Sequence, residues 1–504
     1  MSRSLDLASA GATAALAREL ALWARPGLVI LLAGAVGAGK STFARAFIRA
    51  LAGGDDTFDV PSPTFSLIQT YDQTRLPVAH ADLYRLKTVG EVEELGLADL
   101  ARDHVVLVEW PDRLEAGTFE HSLTLAFTGR GGSRTVEMKA TGQWQQLLSR
   151  NDTISAFLAR HGRAADERRF FEGDASARRY EVLGEGASRL LLMDMPRRPD
   201  GPPVKDGKPY SAIAHLAEDI TAVIAINGEL VRRGLGAPRI LAHDDGQGLA
   251  LIEYLDGAVY GRMRAAGADM AAPMRAAVAV LAHIADEAWP TTAAADGVQH
   301  GLSAYDEEAL LIEADLLIAW YWPRLKGGPA PAAVHDDFAG LWRAVLAHAG
   351  TPRPVWVLRD YHSPNLLWLP QRQGHKQVGL IDTQDAVLGH PAYDLASLLQ
   401  DARIDIPEAE QQALYEHYLA LRRTTPGFDA EAFGRAYAVL GAQRATKILG
   451  IFARLSQRDG KHGYLRHLPR VARYLRHNLS HPVLAPIRDF YARHLPEVME
   501  AGHE

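Results

Sequence analysis

No cysteine occurs among the 504 residues. That excludes disulfides, thiolate zinc sites and cysteine nucleophiles, and it fits a reducing cytosol. No uncharged run approaches the roughly 18–20 residues that cross a bilayer as a helix, so no membrane-spanning segment is expected. An excess of basic charge is missing too. The formal net charge of −7 argues against a surface built for strong direct nucleic-acid binding. What is present is ordinary globular material, 47% hydrophobic and 23% charged, in a chain long enough for roughly three domains. In the opening stretch MSRSLDLASAGATAALARELALWARPG, Asp6 and Glu19 interrupt the apolar residues, while Leu16, Leu20 and Trp23 recur at helical spacing. It reads as a capped surface helix of a cytoplasmic protein, not a targeting segment.

Two ATP-site signals of different architecture stand on this chain. The first is LVILLAG (28–34), an apolar run of strand length, followed by KSTFARAFIRAL (40–51) with Phe43, Phe47, Ile48 and Leu51 at helical period. Between them Gly34, Gly39, Lys40 and Ser41 satisfy G-x-x-x-x-G-K-[ST]. Glycines, with Gly37 between them, let backbone N–H groups wrap phosphates at a helix N-terminus. Lys40 then reaches the β/γ oxygens and Ser41 coordinates Mg²⁺. Downstream, VPSPTFSL (60–67) carries Thr64, HADLYRL (80–86) presents Asp82, and HVVLVEWPDRL (104–114) delivers Glu109 at a strand end. A Mg-nucleotide site needs one or two carboxylates near the γ-phosphate, and such folds place them at strand ends. Taken singly, Asp82 and Glu109 are either metal ligands or strand-end charges.

The set GAVGAGKSTF, SPTF, HADLYRL, EELGL and VEWPDRL resembles the TsaE family, the small ATPase subunit of the bacterial tRNA threonylcarbamoyladenosine system, over about residues 1–145. The resemblance implies an ATPase with Lys40, Ser41, Thr42, Thr64, Asp82, Glu109 and Trp110 at its site, Glu109 serving as catalytic carboxylate and metal ligand. It implies as partners the threonylcarbamoyltransferase subunit and its paralogue. Family members often carry an acidic residue where this chain has Ala35. Trp110 is either functional or packs the strand end.

The second signal is WVLRDYHSPNLLWL, with Asp360 and Asn365, followed by VGLIDTQDAVLGHPAYDLASLL (378–399) with Asp382. An Asp, four residues and an Asn between apolar runs is how kinase-like enzymes write a catalytic loop. In phosphoryl transfer Asp360 accepts the proton of an attacking hydroxyl, while Asn365 and Asp382 hold Mg²⁺. Asp394 reads as a structural carboxylate for the catalytic loop, and His362 and Asp385 either point at substrate or close the loops. Upstream lie a helix at 152–163, a hairpin at 169–184 and a third strand at 189–196. Helical period returns at 211–233. GLALIEYLDG (248–257) then runs into a hinge, where Glu253 and Leu255 are assigned to the nucleotide. The third strand has Met193 and Asp194 where a phosphate-binding Lys is expected; Lys205, Lys208 or Ser176 of the hairpin are the substitutes.

GDASARRY, LLLMDMP, LRDYHSPNLL, IDTQDAVLGHPAYDLASLL and KILGIFARLSQRDGKHGYLRHLPRV resemble the aminoglycoside phosphotransferase superfamily. Within it they are most similar to anomeric N-acetylmuramate/N-acetylglucosamine kinases, over about 150–490. The resemblance implies ATP, Mg²⁺ and a small sugar acceptor in cell-wall (peptidoglycan) recycling. The basic series from Arg444 through Lys447 and Arg454 to Arg476 reads mostly as solvated helix faces, the alternative being a wall of the sugar site that reads an anionic group.

The expected architecture is an α/β P-loop NTPase domain over 1–147 and a two-lobed, protein-kinase-like α+β phosphotransferase domain over 148–504. Its N-lobe spans about 152–257 and its helical C-lobe about 258–504. The expected function is bifunctional. The alternative is a nucleotide-dependent regulatory module fused to a kinase for an aminoglycoside, choline or another hydroxyl compound.

Overall fold

The computed structural model describes residues 2–129, 133–171, 178–197, 200–350 and 352–500. The chain divides into two compact units, Met1–Arg189 and Leu190–Glu504.

The first unit is built on β1 (Ser2–Leu7), β2 (Val29–Ala33), β3 (Ile68–Tyr71), β4 (Val78–Asp82), β5 (Val105–Glu109), β6 (Ser122–Thr128) and β7 (Arg134–Ala140), in the order β1-β7-β6-β2-β5-β4-β3. β2 runs parallel to β5 and β6, and β4 runs parallel to β5. Every residue of β4 and β5 is buried, which is why these strands are nearly continuous apolar runs and not alternating ones. Their register sets Asp82 beside Glu109. The two carboxylates therefore leave the sheet at the same end.

The opening residues depart from a single surface helix. Ser2–Leu7 is a strand, paired antiparallel with β7, as its Ser-Arg-Ser-Leu-Asp-Leu alternation suits. Ser9 then accepts from the Ala12 N–H and starts the helix Ala10–Ala21. That helix buries Leu16, Ala17, Leu20 and Ala21.

The helix Gln143–Arg160 is continuous, so the expected boundary at 147/148 lies inside it. Its second half is tied to the first unit through Asn151, whose side chain accepts from Trp23 Nε1 (2.9 Å) and Arg168 Nη1 (2.9 Å) and donates to Glu19 Oε1 (2.5 Å). The hairpin β8 (Arg168–Phe171) and β9 (Arg179–Leu183) belongs to the same unit. There Arg168 makes a two-point pair with buried Glu181, at 2.6 and 3.0 Å. The Arg179 guanidinium lies 3.4 Å over the Trp23 ring.

In the second unit the strand Leu190–Asp194 pairs with Leu249–Glu253, which pairs in turn with Ile240–Asp244. The 211–233 stretch is not one helix. Tyr210–Ile213 stops, and Asp219 caps a new helix, Ile220–Arg232, by accepting from the Thr221 N–H; a capping Asp competes with helix continuation at that point. Most of the remainder is helical, packed around the 30-residue helix Ala430–Asp459. Two short antiparallel pairs, Val355–Val357 with Val387–Gly389 and Leu366–Trp368 with Val378–Leu380, carry the loops of interest. Among the described residues no helix is long and apolar enough to cross a membrane.

Candidate functional site

In the first unit β2 ends at Ala33 and a helix begins at Lys40. Gly34, Gly37 and Gly39 between them have φ of 127°, 79° and 114°, in the region L side chains avoid. A Cβ on Gly34 would also stand 2.3 Å from the Phe127 carbonyl oxygen. Lys40 is folded onto its own loop, donating to the carbonyls of Gly34 (2.8 Å) and Ala35 (3.0 Å), with its ammonium 3.8 Å from the Trp110 ring centroid. Burial lowers its pKa, while Glu109, Asp82 and Asp112 push the other way.

Two hydrogen-bonded groups face this loop. Ser41 Oγ donates to Glu109 Oε2 at 3.1 Å, and the other Glu109 oxygen meets His80 Nε2 at 3.2 Å. Thr64 Oγ1 donates to Asp82 Oδ2 at 2.8 Å, and Asp82 Oδ1 accepts the Tyr84 N–H at 2.9 Å. Trp110, at φ 63°, packs against Tyr84 with ring centroids 4.9 Å apart and the rings tilted by 47°. Thr42 lies in the first turn of the helix, partly exposed. The fold thus gathers the residues expected from the sequence and adds His80, a buried imidazole that sequence reasoning passed over. The signal was available: His80 and Asp82 are two apart on one strand and share a face.

In the second unit Asp360, Asn365 and Asp382 line one shallow cleft, together with Leu358, Tyr361 and Thr383. The hairpin from Leu366 to Leu380 returns the second loop beside the first, and Ile381 N–H donates to the Asn365 carbonyl at 3.1 Å. Asn365 Nδ2 donates to the Asp360 carbonyl at 3.0 Å. Arg359 and Asp382 both take positive φ, 65° and 61°, so each loop is held in a turn that few side chains adopt freely.

The Asp360 side chain is 44% exposed. Partial burial works to raise its pKa, but His362, Lys447, Arg359 and Arg444 prevail and hold it below the usual carboxylate range. Asp394 is buried beneath this loop, accepting the N–H groups of Leu358 (2.6 Å) and Arg359 (2.9 Å). Beside it Glu313, fully buried, binds Lys447 at 2.7 Å and also takes Arg359 and Tyr305.

The TsaE family, threonylcarbamoyl adenosine biosynthesis protein TsaE, matches residues 7–136, and the phosphotransferase enzyme family matches 167–437, more than half of the chain. A Bacillus subtilis tRNA threonylcarbamoyladenosine biosynthesis protein TsaE is 36% identical over 149 residues, covering 28% of this chain and 91% of that protein. The Caulobacter vibrioides N-acetylmuramate/N-acetylglucosamine kinase is 38% identical over 351 residues, 68% of this chain and 96% of that protein. The Pseudomonas aeruginosa kinase of the same name is 31% identical over 339 residues, 65% and 88%. The chain belongs to both families.

Not every expected residue joins the phosphotransferase cleft. Ser176 lies outside the described residues. Glu253 ends its strand with its carboxylate engaged by Arg239 (3.3 Å) and Arg372 (2.8 Å). Leu255 packs on Leu367 and Leu369. Lys205, on a two-stranded ribbon, pairs with Glu308 at 3.4 Å, and Lys208 is exposed. Asp385 Oδ1 accepts the Ala217 N–H at 2.7 Å, so it closes the loop onto its own unit. Arg444 and Lys447 depart from the expected solvated helix face: both are withdrawn from solvent, Lys447 against Glu313.

Proposed function

We propose that the TsaE-family domain turns over ATP in support of tRNA threonylcarbamoyladenosine modification. In this reading it works with the threonylcarbamoyltransferase subunit and its paralogue. The Gly34–Gly39 loop, Lys40, Ser41 and Thr42 take the nucleotide, with Thr64 and Trp110 at its edge. Ser41, Asp82 and Glu109 offer hard oxygen donors of the kind Mg²⁺ selects. His80 orients Glu109 from below.

The phosphotransferase domain, in the same reading, phosphorylates an N-acetylated sugar on its anomeric hydroxyl, in peptidoglycan recycling in the cytoplasm. The observation that carries it is the convergence of Asp360, Asn365 and Asp382 on one cleft. Asp360 takes the hydroxyl proton as the acceptor oxygen bonds to the γ-phosphorus and the bond to the bridging oxygen breaks, releasing ADP. Asn365 and Asp382 supply the oxygens for Mg²⁺, which neutralises phosphate charge when bound. The low pKa of Asp360 keeps it ionised and ready to accept.

Support for the acceptor comes from the two relatives named for N-acetylmuramate and N-acetylglucosamine. The test is a screen of these sugars, an aminoglycoside and choline with ATP, read by phosphorus NMR. A glycosyl phosphate that releases phosphate in mild acid is expected; an acid-stable ester of a primary hydroxyl would overturn the anomeric assignment. For the first domain, residues 1–189 should restore the modification in cells lacking their own TsaE. Failure in every host tried would overturn that role.

A further inference from the structure

The pair Val355–Val357 with Val387–Gly389 has two ends. One leads into Leu358 and the cleft of Asp360, Asn365 and Asp382. At the other, where Val355 faces Gly389, a second pocket of about 410 Å³ opens against Pro354, Gly389 and the helix that begins at Glu307. The two share no lining residue. This volume falls in the range of small-molecule sites, about 300–1,000 Å³.

Leu310, Leu346, Leu440 and the rings of Tyr305 and Tyr393 make most of the pocket wall. Both phenol oxygens are engaged elsewhere: Tyr305 donates to Glu313, and Tyr393 Oη accepts from Lys447 at 3.4 Å. At the rim Asp306 accepts the Ala309 N–H at 2.9 Å, and Glu307 accepts from Arg343 Nε at 3.1 Å. His390 is the exception. Its Nδ1 accepts the Ala392 N–H at 3.0 Å, which leaves the ring proton on Nε2. The described residues offer that N–H no acceptor. Burial pushes the imidazole down to about 4, so the ring is neutral.

We infer that this pocket is a second small-molecule site, separate from the phosphotransfer cleft, and that it takes an uncharged, largely apolar molecule with one hydrogen-bond acceptor for His390 Nε2. Apolar walls hold water loosely, and an apolar body displaces it favourably. An anion is disfavoured, because among the described residues two carboxylates and no Lys or Arg line the pocket. A cation finds Asp306 and Glu307 already engaged. The inference goes beyond the sugar-kinase reading and does not rest on it.

The probe is 6-propionyl-2-dimethylaminonaphthalene, a neutral ketone whose emission shifts to the blue when it leaves water. It is titrated into the full chain, first alone and then with Mg²⁺, adenylyl imidodiphosphate and N-acetylglucosamine in excess. The affinity should be the same in both titrations. Ala347→Trp sets a ring at the mouth from an exposed position on the pocket's rim. It should weaken the probe about 10-fold or more and leave turnover by the phosphotransferase domain unaltered. His390→Phe keeps a ring but loses the donor, and should weaken the probe about 5-fold, the worth of one neutral hydrogen bond. On the unaltered protein, which needs no variant to fold, the anionic 1-anilinonaphthalene-8-sulfonate should bind more weakly than the ketone. Displacement of the probe by the nucleotide analogue or the sugar would place it in a substrate site, and unaltered affinity in Ala347→Trp would place it outside this pocket. Either result, or tighter binding of the sulfonate, would overturn the inference and leave the sugar-kinase reading in place.

Discussion

The Trp23 indole donates to Asn151 Oδ1 at 2.9 Å across a buried seam of the first unit. Asn151 lies beyond the point where the TsaE-like motifs stop, so the fold of that unit draws on residues that motif reading assigns to the next domain. The same oxygen takes Arg168 Nη1 at 2.9 Å, which secures the hairpin between Arg168 and Leu183.

A fragment of residues 1–189 should therefore melt at a higher temperature than one of residues 1–147. In the shorter one the Trp23 N–H loses its acceptor and the Ala10–Ala21 helix loses a neighbour. In the full chain Asn151→Ala should cost about 1–3 kcal/mol, the range for leaving buried donors unpaired. Equal melting of the two fragments would show that 148–189 adds nothing to the first unit.

Lys40→Ala should abolish ATP turnover by a fragment of residues 1–189, because the residue proposed to reach the β/γ oxygens is gone. Sugar phosphorylation by the full chain should stay within a few-fold, since Asp360, Asn365 and Asp382 belong to the other unit. Joint loss of both activities would show that the two sites do not act independently.

Asp360→Asn preserves shape and hydrogen-bond reach but removes the proposed base. Turnover by the phosphotransferase domain should fall about 10²–10⁴-fold, with nucleotide affinity little changed. Asp382→Ala should instead weaken binding of Mg²⁺–ATP itself, measured by calorimetry on the Lys40→Ala background so that the first site is silent. Unaltered turnover in Asp360→Asn would remove that residue from the chemistry.

Burial pushes the Asp394 carboxyl up to about 7, against the two backbone N–H groups it accepts. Between about pH 4 and pH 7 the folded protein holds a proton here that the unfolded chain has released. This contribution favours the folded state at the acid end of that window and is lost as pH rises through about 7. Asp394→Asn cannot ionise and lacks that slope. Its urea-denaturation deficit against the parent protein should narrow from pH 5 to pH 8. A deficit that stays constant from pH 5 to pH 8 would show that Asp394 is already ionised in the folded state across that range.

The sequence by itself determined the two loops proposed to handle phosphate and their order along the chain. Gly34 to Ser41 and Asp360 to Asn365 are each a few residues long, and the geometry they impose follows from local backbone and side-chain chemistry. Asp82 and Glu109 were legible as strand-end carboxylates, because strand length and apolar continuity are local properties. Only the tertiary structure decided that they leave adjacent strands in register, since pairing between residues 27 positions apart carries no local mark. It alone showed His80 beneath Glu109, the Asn151 seam that carries the first unit past its motifs, and the burial of Arg444 and Lys447. Helical spacing says which residues share a face, but not what packs against that face. Lys447 is withdrawn because Glu313, 134 residues earlier, meets it at 2.7 Å. A charge on a helix is solvated until another segment covers it, and what covers it is settled by the fold.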